Sequence, residues 1–326
     1  MRRTSPVKRQ RGIAAITALL VVAIATVLAS ELAWELYIDI QRSEAMLLRN
    51  QAIQAALGAE LLAAYTLRLD YDEDVENNQH CDYPGELWDQ EITIPFEAGT
   101  IRARITDAQG RFNLNNIIES GSKNQRTVDF FGRLLERLTL DPGLAAKVVD
   151  WIDPDQVEEF GGAEDGTYTA LTPPYRTANT WFTTATELMA VDGFIDPLEP
   201  SKDKFRSIER YVAALPGFRK INVNTAEDSL LLAMSENSGS QDASALRANR
   251  PYCTIQAASG SEGAFMDDAN GIVEPDFADR YLETGTSFFQ LKALVTLGTT
   301  QLTMYSLLYR DSNGLVTTKL RYFDTK

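Results

Sequence analysis

Residues 13–29 form an uncharged apolar run, and no proline occurs between Val7 and Pro84, so one very long helix must come before any globular structure. Ahead of the run lies a leader carrying Arg2, Arg3, Lys8, Arg9 and Arg11 and no acid, the asymmetry that holds a segment in the cytoplasm while the run enters a bilayer. Past Ala29 the helical pattern continues. Leu32, Leu36, Ile40, Leu47, Ile53, Leu57, Leu61 and Tyr65 predict one buried stripe, with Glu31, Glu35, Asp39, Arg42, Glu44, Arg49, Gln54 and Glu60 opposite it. At about 1.5 Å per residue a helix over 13–69 is on the order of 85 Å long, enough to cross a membrane and project beyond it. Gly58 is its expected soft spot. A secretory signal cut after Val27–Leu28–Ala29, before Ser30, is the competing reading, although a secreted domain begins more often with a turn than with more helix.

The net charge of −15 becomes −20 without the five leader cations, 26 basic against 46 acidic residues, which disfavours a phosphate-backbone partner and suits divalent cations or a cationic protein surface. Cys81 and Cys253 lack the close spacing of a zinc or redox motif. They are either a disulfide closing a long loop, stabilising by roughly 5 kcal/mol in the chain-entropy model, or two unrelated buried thiols.

From Glu91 the period changes to two. Ile92, Ile94 and Phe96, then Ile101, Ala103 and Ile105 read as a hairpin turning at residues 97–100, with a second turn at Asp107–Ala108–Gln109–Gly110. Strands return at Phe288–Leu297, Leu302–Tyr309 and Leu315–Tyr322, the last two joined by a turn at Asp311–Ser312–Asn313–Gly314. Between these β regions helices are expected over Val128–Leu138, Leu144–Trp151, Thr184–Val191, Phe205–Leu215 and Ala226–Met234. Asn224 and Glu227 ahead of Leu230–Leu231–Leu232 match a capping box.

The junction Arg11–Gly12–Ile13, the segment Ala56–Leu57–Gly58–Ala59–Glu60, the run Gly110–Arg111–Phe112–Asn113–Leu114–Asn115–Asn116, the acidic stretch Asp150 to Tyr168, Tyr175–Arg176–Thr177–Ala178–Asn179 and Ile221–Asn222–Val223–Asn224–Thr225–Ala226 together resemble the K-class minor pseudopilins of bacterial type II secretion. The resemblance covers nearly the whole chain and is weakest over residues 239–271. It implies an α+β, pilin-like fold, with a spine helix packed on an antiparallel β-sheet and a large all-α domain inserted into that sheet. The corresponding division is a prepilin leader over 1–12, a transmembrane half-helix over 13–30, a periplasmic half-helix over 31–70, sheet over 71–117, inserted domain over 118–283 and sheet again over 284–326. It also implies cleavage between Gly12 and Ile13 by a prepilin peptidase, methylation of the new terminus and a single-pass inner-membrane protein with a cytoplasmic N-terminus. The implied place is the pseudopilus tip, with the I, J and H classes of minor pseudopilin and the inner-membrane assembly platform as partners.

Pilin-like subunits generally carry a glutamate five residues after the cleaved bond, where it pairs with a neighbour's terminal ammonium. Here that position is Thr17. An unpaired carboxylate in hydrocarbon is costly, so its omission suits a subunit at the filament's head, although Thr17 also reads as a tolerated small helix residue.

The stretch Asp150–Trp151–Ile152–Asp153–Pro154–Asp155 through Glu158, Glu159, Glu164 and Asp165 concentrates carboxylates that repel one another, a penalty that an oxygen-liganding cation removes. On composition alone it is equally a solvated acidic loop. The resemblance implies a structural calcium, with Asp153, Asp155, Glu164 and Asp165 as ligands and Asp150 and Asn179 as additions. EF-hand spacing is absent, and Asp267, Asp268, Asn270 and Glu274 read as surface. Leu215–Pro216–Gly217 beside Ile221–Asn222 resembles a helix-hairpin-helix module, but Phe218–Arg219 stands where its second glycine belongs, and the acidic charge opposes nucleic acid.

The single histidine, His80, sits beside Cys81 in a polar stretch, and nucleophile-elbow, phosphate-loop and Cys-x-x-Cys motifs are missing, so no enzyme activity is expected. The alternatives are a membrane-anchored periplasmic hydrolase or substrate-binding module on a helical stalk, and a type IV minor pilin.

Overall fold

The computed structural model describes residues 11–96, 99–195, 203–236, 238–256 and 263–324. The leader over 1–10 lies outside the described residues, and of Arg11, Gly12 and Ile13 only the helical backbone is described. Helix α1, Arg11–Asn77, runs 67 residues, about 100 Å, and passes Gly58 unbroken. Among the described residues it is the one helix long and apolar enough to cross a membrane.

Against its later turns lies a five-stranded antiparallel sheet: β1 (Ile92–Phe96), β2 (Gly99–Asp107), β3 (Phe288–Leu297), β4 (Thr300–Arg310) and β5 (Val316–Asp324), in that spatial order. The neighbours β2 and β3 pair from Gly99↔Leu297 to Asp107↔Phe289, yet residues 108–287 separate them in sequence. The sheet is therefore a simple meander opened once to admit the helical unit. Residues 97 and 98 of the expected hairpin turn lie outside the described residues.

The face of α1 that packs on the sheet is not the expected stripe. Ala52, Ala56, Ala59, Ala63 and Leu67 are at most 5% exposed and share a core with Ile101, Ala103, Ile105, Leu291, Ala293, Val295 and Met304. Alanine side chains let the helix backbone approach the strands closely, so dense packing replaces large side chains. Leu32, Leu36, Ile40, Leu47, Leu61 and Tyr65 are each more than half exposed, and Ile53 and Leu57 are half-buried. Hydropathy ranks leucine above alanine and so selects the wrong side.

Glu60, expected in solvent, is buried beneath the sheet. Its carboxylate accepts from Ser306 Oγ, from Thr318 Oγ1 at 2.8 Å and from Arg321 Nε at 2.8 Å. Strict alternation would put Thr318 and Arg321 on opposite faces. A bulge resolves this: Leu307 pairs with Leu320 but Leu308 with Thr318, and the extra residue, Lys319, returns both side chains to the helix side. Burial alone would raise the pKa of Glu60; the bonds from Arg321, Ser306 and Thr318 prevail and hold it below its usual value.

A second polar anchor closes the far end of this core. Arg310 at the end of β4 donates to Asp70 Oδ2 on α1 at 2.7 Å and to Asp82 Oδ1, and Asp82 also accepts from Thr286 N at 2.6 Å. Asp70, Asp82 and Glu86 gather closely enough to hold a cation, and the Arg310 guanidinium pairs with two of the three. Two buried carboxylates share one positive charge, so burial first, and then the Asp82 charge, push Asp70 up to about 7. Cys81, next to Asp82, is disulfide-bonded to Cys253 of the inserted unit.

The inserted unit has its own core, in which Phe112, Phe130, Phe131 and Leu134 meet Trp151, Tyr168, Phe194 and Phe277. Its principal helices are α2 (Gln125–Arg137), started by Asn124 accepting from Thr127 N, and α3 (Leu144–Ile152). Among the described residues, three two-residue strand pairs fasten its loops. One corrects an expectation: within Phe205–Leu215 the α-helix spans only Phe205–Ile208, a 3-10 turn follows over Glu209–Tyr211, and Val212–Ala213 pairs in parallel with Phe112–Asn113.

Replacing Arg310 with Met leaves two unpaired buried carboxylates and should cost about 3–5 kcal/mol at neutral pH. Arg310 lowers the Asp70 pKa, so its removal lifts that group above about 7. A raised carboxyl pKa contributes stability below the unfolded value of 3.8 that is lost as pH rises through the folded value, so the deficit should grow from about pH 7 upward and level off below it. Thermal melts of both proteins at about pH 7 and about pH 9 check it, with the larger gap expected at about pH 9.

Candidate functional site

The acidic stretch folds back on the end of α3. Asp150, fully buried, accepts from Glu159 N at 3.1 Å and Ala163 N at 2.8 Å, so its carboxylate forms the internal frame of the turn. Gly162 is required there, because a Cβ at this position would stand 1.9 Å from Asp150 Oδ2. The turn brings Asp153, Asp155 and Glu164 together, each offering an oxygen within 4.8 Å of the others.

Three side-chain oxygens at this place are buried without a hydrogen-bond partner: Asp153 Oδ1, Glu164 Oε1 and Asn179 Oδ1. Asn179 adopts φ 48° and donates N–H to Trp151 O at 3.0 Å, which fixes it beside the end of α3. Buried unpaired acceptors are costly, and those of Asp153 and Glu164, set in one carboxylate cluster, suit a hard cation with oxygen ligands. The electrostatics agree. Burial and the Asp155 and Asp150 charges push Asp153 up to about 6, while burial and the Asp150 and Asp153 charges push Glu164 up to about 7. Asp165 is engaged elsewhere: Oδ1 accepts from Thr177 N at 3.1 Å and Oδ2 pairs with Arg176 at 3.3 Å. Asp150 likewise supports the turn.

The asparagine-rich motifs serve architecture, which their sequence spacing did not reveal. Asn113 Oδ1 accepts from Leu215 N at 2.9 Å, and its Nδ2 donates to Gly217 O at 2.8 Å. Asn115 donates to Phe182 O and Leu215 O, both at 3.0 Å, and Asn116 accepts from Arg219 N at 2.9 Å. The Leu215–Pro216–Gly217 hairpin thus spends its backbone groups inside the molecule. Asn224 caps no helix: it is buried and donates to Tyr252 O at 2.8 Å and Thr284 O at 3.0 Å, while the following helix begins at Asp228 after Glu227. At the joint between the inserted unit and the sheet, Asp107 accepts from Asn222 Nδ2 at 2.9 Å and from Thr225 Oγ1, and Gly110 passes so close to Thr225 that a Cβ would meet its Oγ1 at 2.4 Å. Arg111 emerges on the outer side of the sheet beside Gln290, and Trp181 is half-exposed. His80 is exposed next to the disulfide.

The model of the family described as "Type II secretion system (T2SS), protein K" matches residues 110–217. The type II secretion system protein K of Pseudomonas aeruginosa is 33% identical over 327 residues, covering 94% of this chain and 91% of that protein. The protein K of Pectobacterium carotovorum is 31% identical, over 96% of this chain and 97% of the relative. A crystal structure of the GspK-GspI-GspJ complex from enterotoxigenic Escherichia coli contains a chain with a TM-score of 0.71 and 24% identity, covering 87% of this chain and all of that one, which shows the shared pilin-like fold. With a spine helix on an antiparallel sheet and full-length likeness at this identity, the chain belongs to the type II secretion system protein K family, the K-class minor pseudopilins.

Proposed function

We propose that this minor pseudopilin stands at the tip of the pseudopilus and starts or caps its assembly, packing α1 against the spine helices of the I, J and H classes. The observation that carries the reading is the uncovered face of α1. Leu61 is 74% exposed and Tyr65 59%, continuing the exposed Leu32, Leu36, Ile40 and Leu47, while the opposite face is filled by the chain's own sheet. A two-sided rod of this kind suits a helical assembly in which neighbours cover what the sheet does not. The solved relative assembles with GspI and GspJ, which supports the same choice of partners here.

Thr17 supports the head position. Its hydroxyl donates to Ala14 O at 3.0 Å within the helix, so it adds no charge for a neighbour above to neutralise. In this reading a prepilin peptidase removes residues 1–12 and methylates Ile13, the apolar run anchors the protein in the inner membrane, and the sheet and inserted unit lie in the periplasm near the assembly platform. The chain's role is assembly, with no catalytic step assigned to it.

Calcium completes the inserted unit. Asp153, Asp155 and Glu164, joined by Asn179, supply the oxygens, and Asp165 stays with Thr177 and Arg176. The ion supplies charge neutralisation, and the residues fix the turn between α3 and Tyr168.

Leu61→Glu should leave folding intact and abolish co-purification of the full chain with I- and J-class subunits, and N-terminal sequencing of the mature protein should read from Ile13. Retained co-purification, or a start at Met1 or Ser30, counts against the reading. In chelator, Glu164→Gln should melt above the unsubstituted protein because it removes repulsion. Calcium at about 100 times its Kd should stabilise only the unsubstituted protein, by about 2.7 kcal/mol.

A further inference from the structure

The outer face of the sheet inverts the charge of the molecule. Alternation places Arg102 and Arg104 of β2 and Lys292 of β3 on the side away from α1, with Arg104 directly opposite Lys292. Tyr305 of β4 and Tyr322 of β5 continue that row, stacked on one another with ring centroids 4.9 Å apart, and the Lys292 ammonium lies 5.6 Å from the Tyr305 ring. Arg111 reaches the same place, where its Nη1 donates to Gln290 Oε1 at 3.2 Å. Arg102, Arg104, Arg111, Lys292 and Tyr305, together with Glu91, line a concavity of about 410 Å³. Four cations converge in it, on a chain whose net charge is −15.

The nearby acids leave these cations available. Glu91 lies 3.5 Å from Arg102 and Asp89 3.9 Å from Arg104, long contacts whose arginines are more than half exposed, so they open at little cost. Among the described residues Arg111 has no ion pair. Burial disfavours its charge, a penalty that an arriving anion would relieve.

We propose that this concavity is a docking site for a carboxylate-rich segment of a partner protein, gripped by Arg102, Arg104, Arg111 and Lys292 over the Tyr305 ring. Guanidinium forks match carboxylates in pairs, which favours adjacent Asp and Glu side chains over a single charge. Lipid of the anchoring membrane is out of reach. Leu48, where α1 first packs on the sheet core, is separated from Ser30 by about 27 Å of helix, about three times the screening length at physiological salt. The site lies on the face opposite α1, so its occupant and the spine-helix neighbours bind independently.

The test uses the full chain in zwitterionic detergent, with fluorescein-labelled octa-glutamate as probe, octa-serine as control and phosphatidylglycerol vesicles as the lipid arm. Saturable octa-glutamate binding is expected, weakened by added salt and at least tenfold weaker in an Arg104→Glu/Lys292→Glu variant. Because charge reversal can disturb folding, Arg104→Gln/Lys292→Gln, checked to melt with the unsubstituted protein, should also lose most of the binding. No saturable binding, equal binding by either folded variant, or preference for the vesicles through these residues overturns the proposal.

Discussion

The close seating of α1 on the sheet is the contact on which the remaining structure depends. A helix cannot bury a broad apolar face in its own domain and also keep an exposed apolar face opposite, unless the inner face is narrow. Alanines at 52, 56, 59 and 63 make it narrow. Dispersion between backbone and strand atoms then does what leucines do in an ordinary amphipathic helix. Glu60 fixes the register, since only one sliding position of helix against sheet satisfies Ser306, Thr318 and Arg321 together. The bulge at Lys319 is part of that device, because without it the latter two side chains point in opposite directions.

The inserted unit is tolerated because it enters and leaves at adjacent strands. Asp107 and Phe289 are paired residues of β2 and β3, so a long excursion begins and ends at nearly one point of the sheet. Loop closure there costs no more than for a turn once the unit has folded around its own core. The joint is polar and fully engaged: Asp107, Asn222, Thr225 and Gln109 hold it, and Gln109 alone accepts from Ser287 N at 2.7 Å and Phe288 N at 3.1 Å. The Cys81–Cys253 disulfide ties the unit a second time, to the segment that leaves α1. Head and spine are thereby fastened at two places.

Much of this was legible in the residues. The long helix follows from the absence of proline, and the period-two segments at residues 92–105 and 288–322 mark the strands, because half-buried strands must alternate. The buried face of α1 was not legible, since alanine carries little hydropathy and its value lies in the approach it permits. Glu60 misled for a related reason: a glutamate on a helix reads as solvated until the residues that neutralise it, some 250 positions later, are known to lie above it. In the acidic stretch the pattern exposed a carboxylate cluster but not its division of labour. Asp150 and Asp165 are spent on backbone amides and an arginine, whereas Asp153 and Glu164 keep free oxygens. The asparagines resembled a functional motif because their partners are backbone groups, which a sequence does not display.

Cysteine-labelling along α1 tests the two-sided rod most directly. Single cysteines introduced at 52, 56, 59 and 63 of the isolated full chain should resist a water-soluble maleimide, while those at 54, 61 and 65 react. On assembly with the other minor pseudopilins, 61 and 65 should become protected, while 52, 56, 59 and 63 on the alanine face remain as they were. Rapid labelling at 56 or 63 in the isolated chain, or unchanged labelling at 61 and 65 after assembly, would contradict the account.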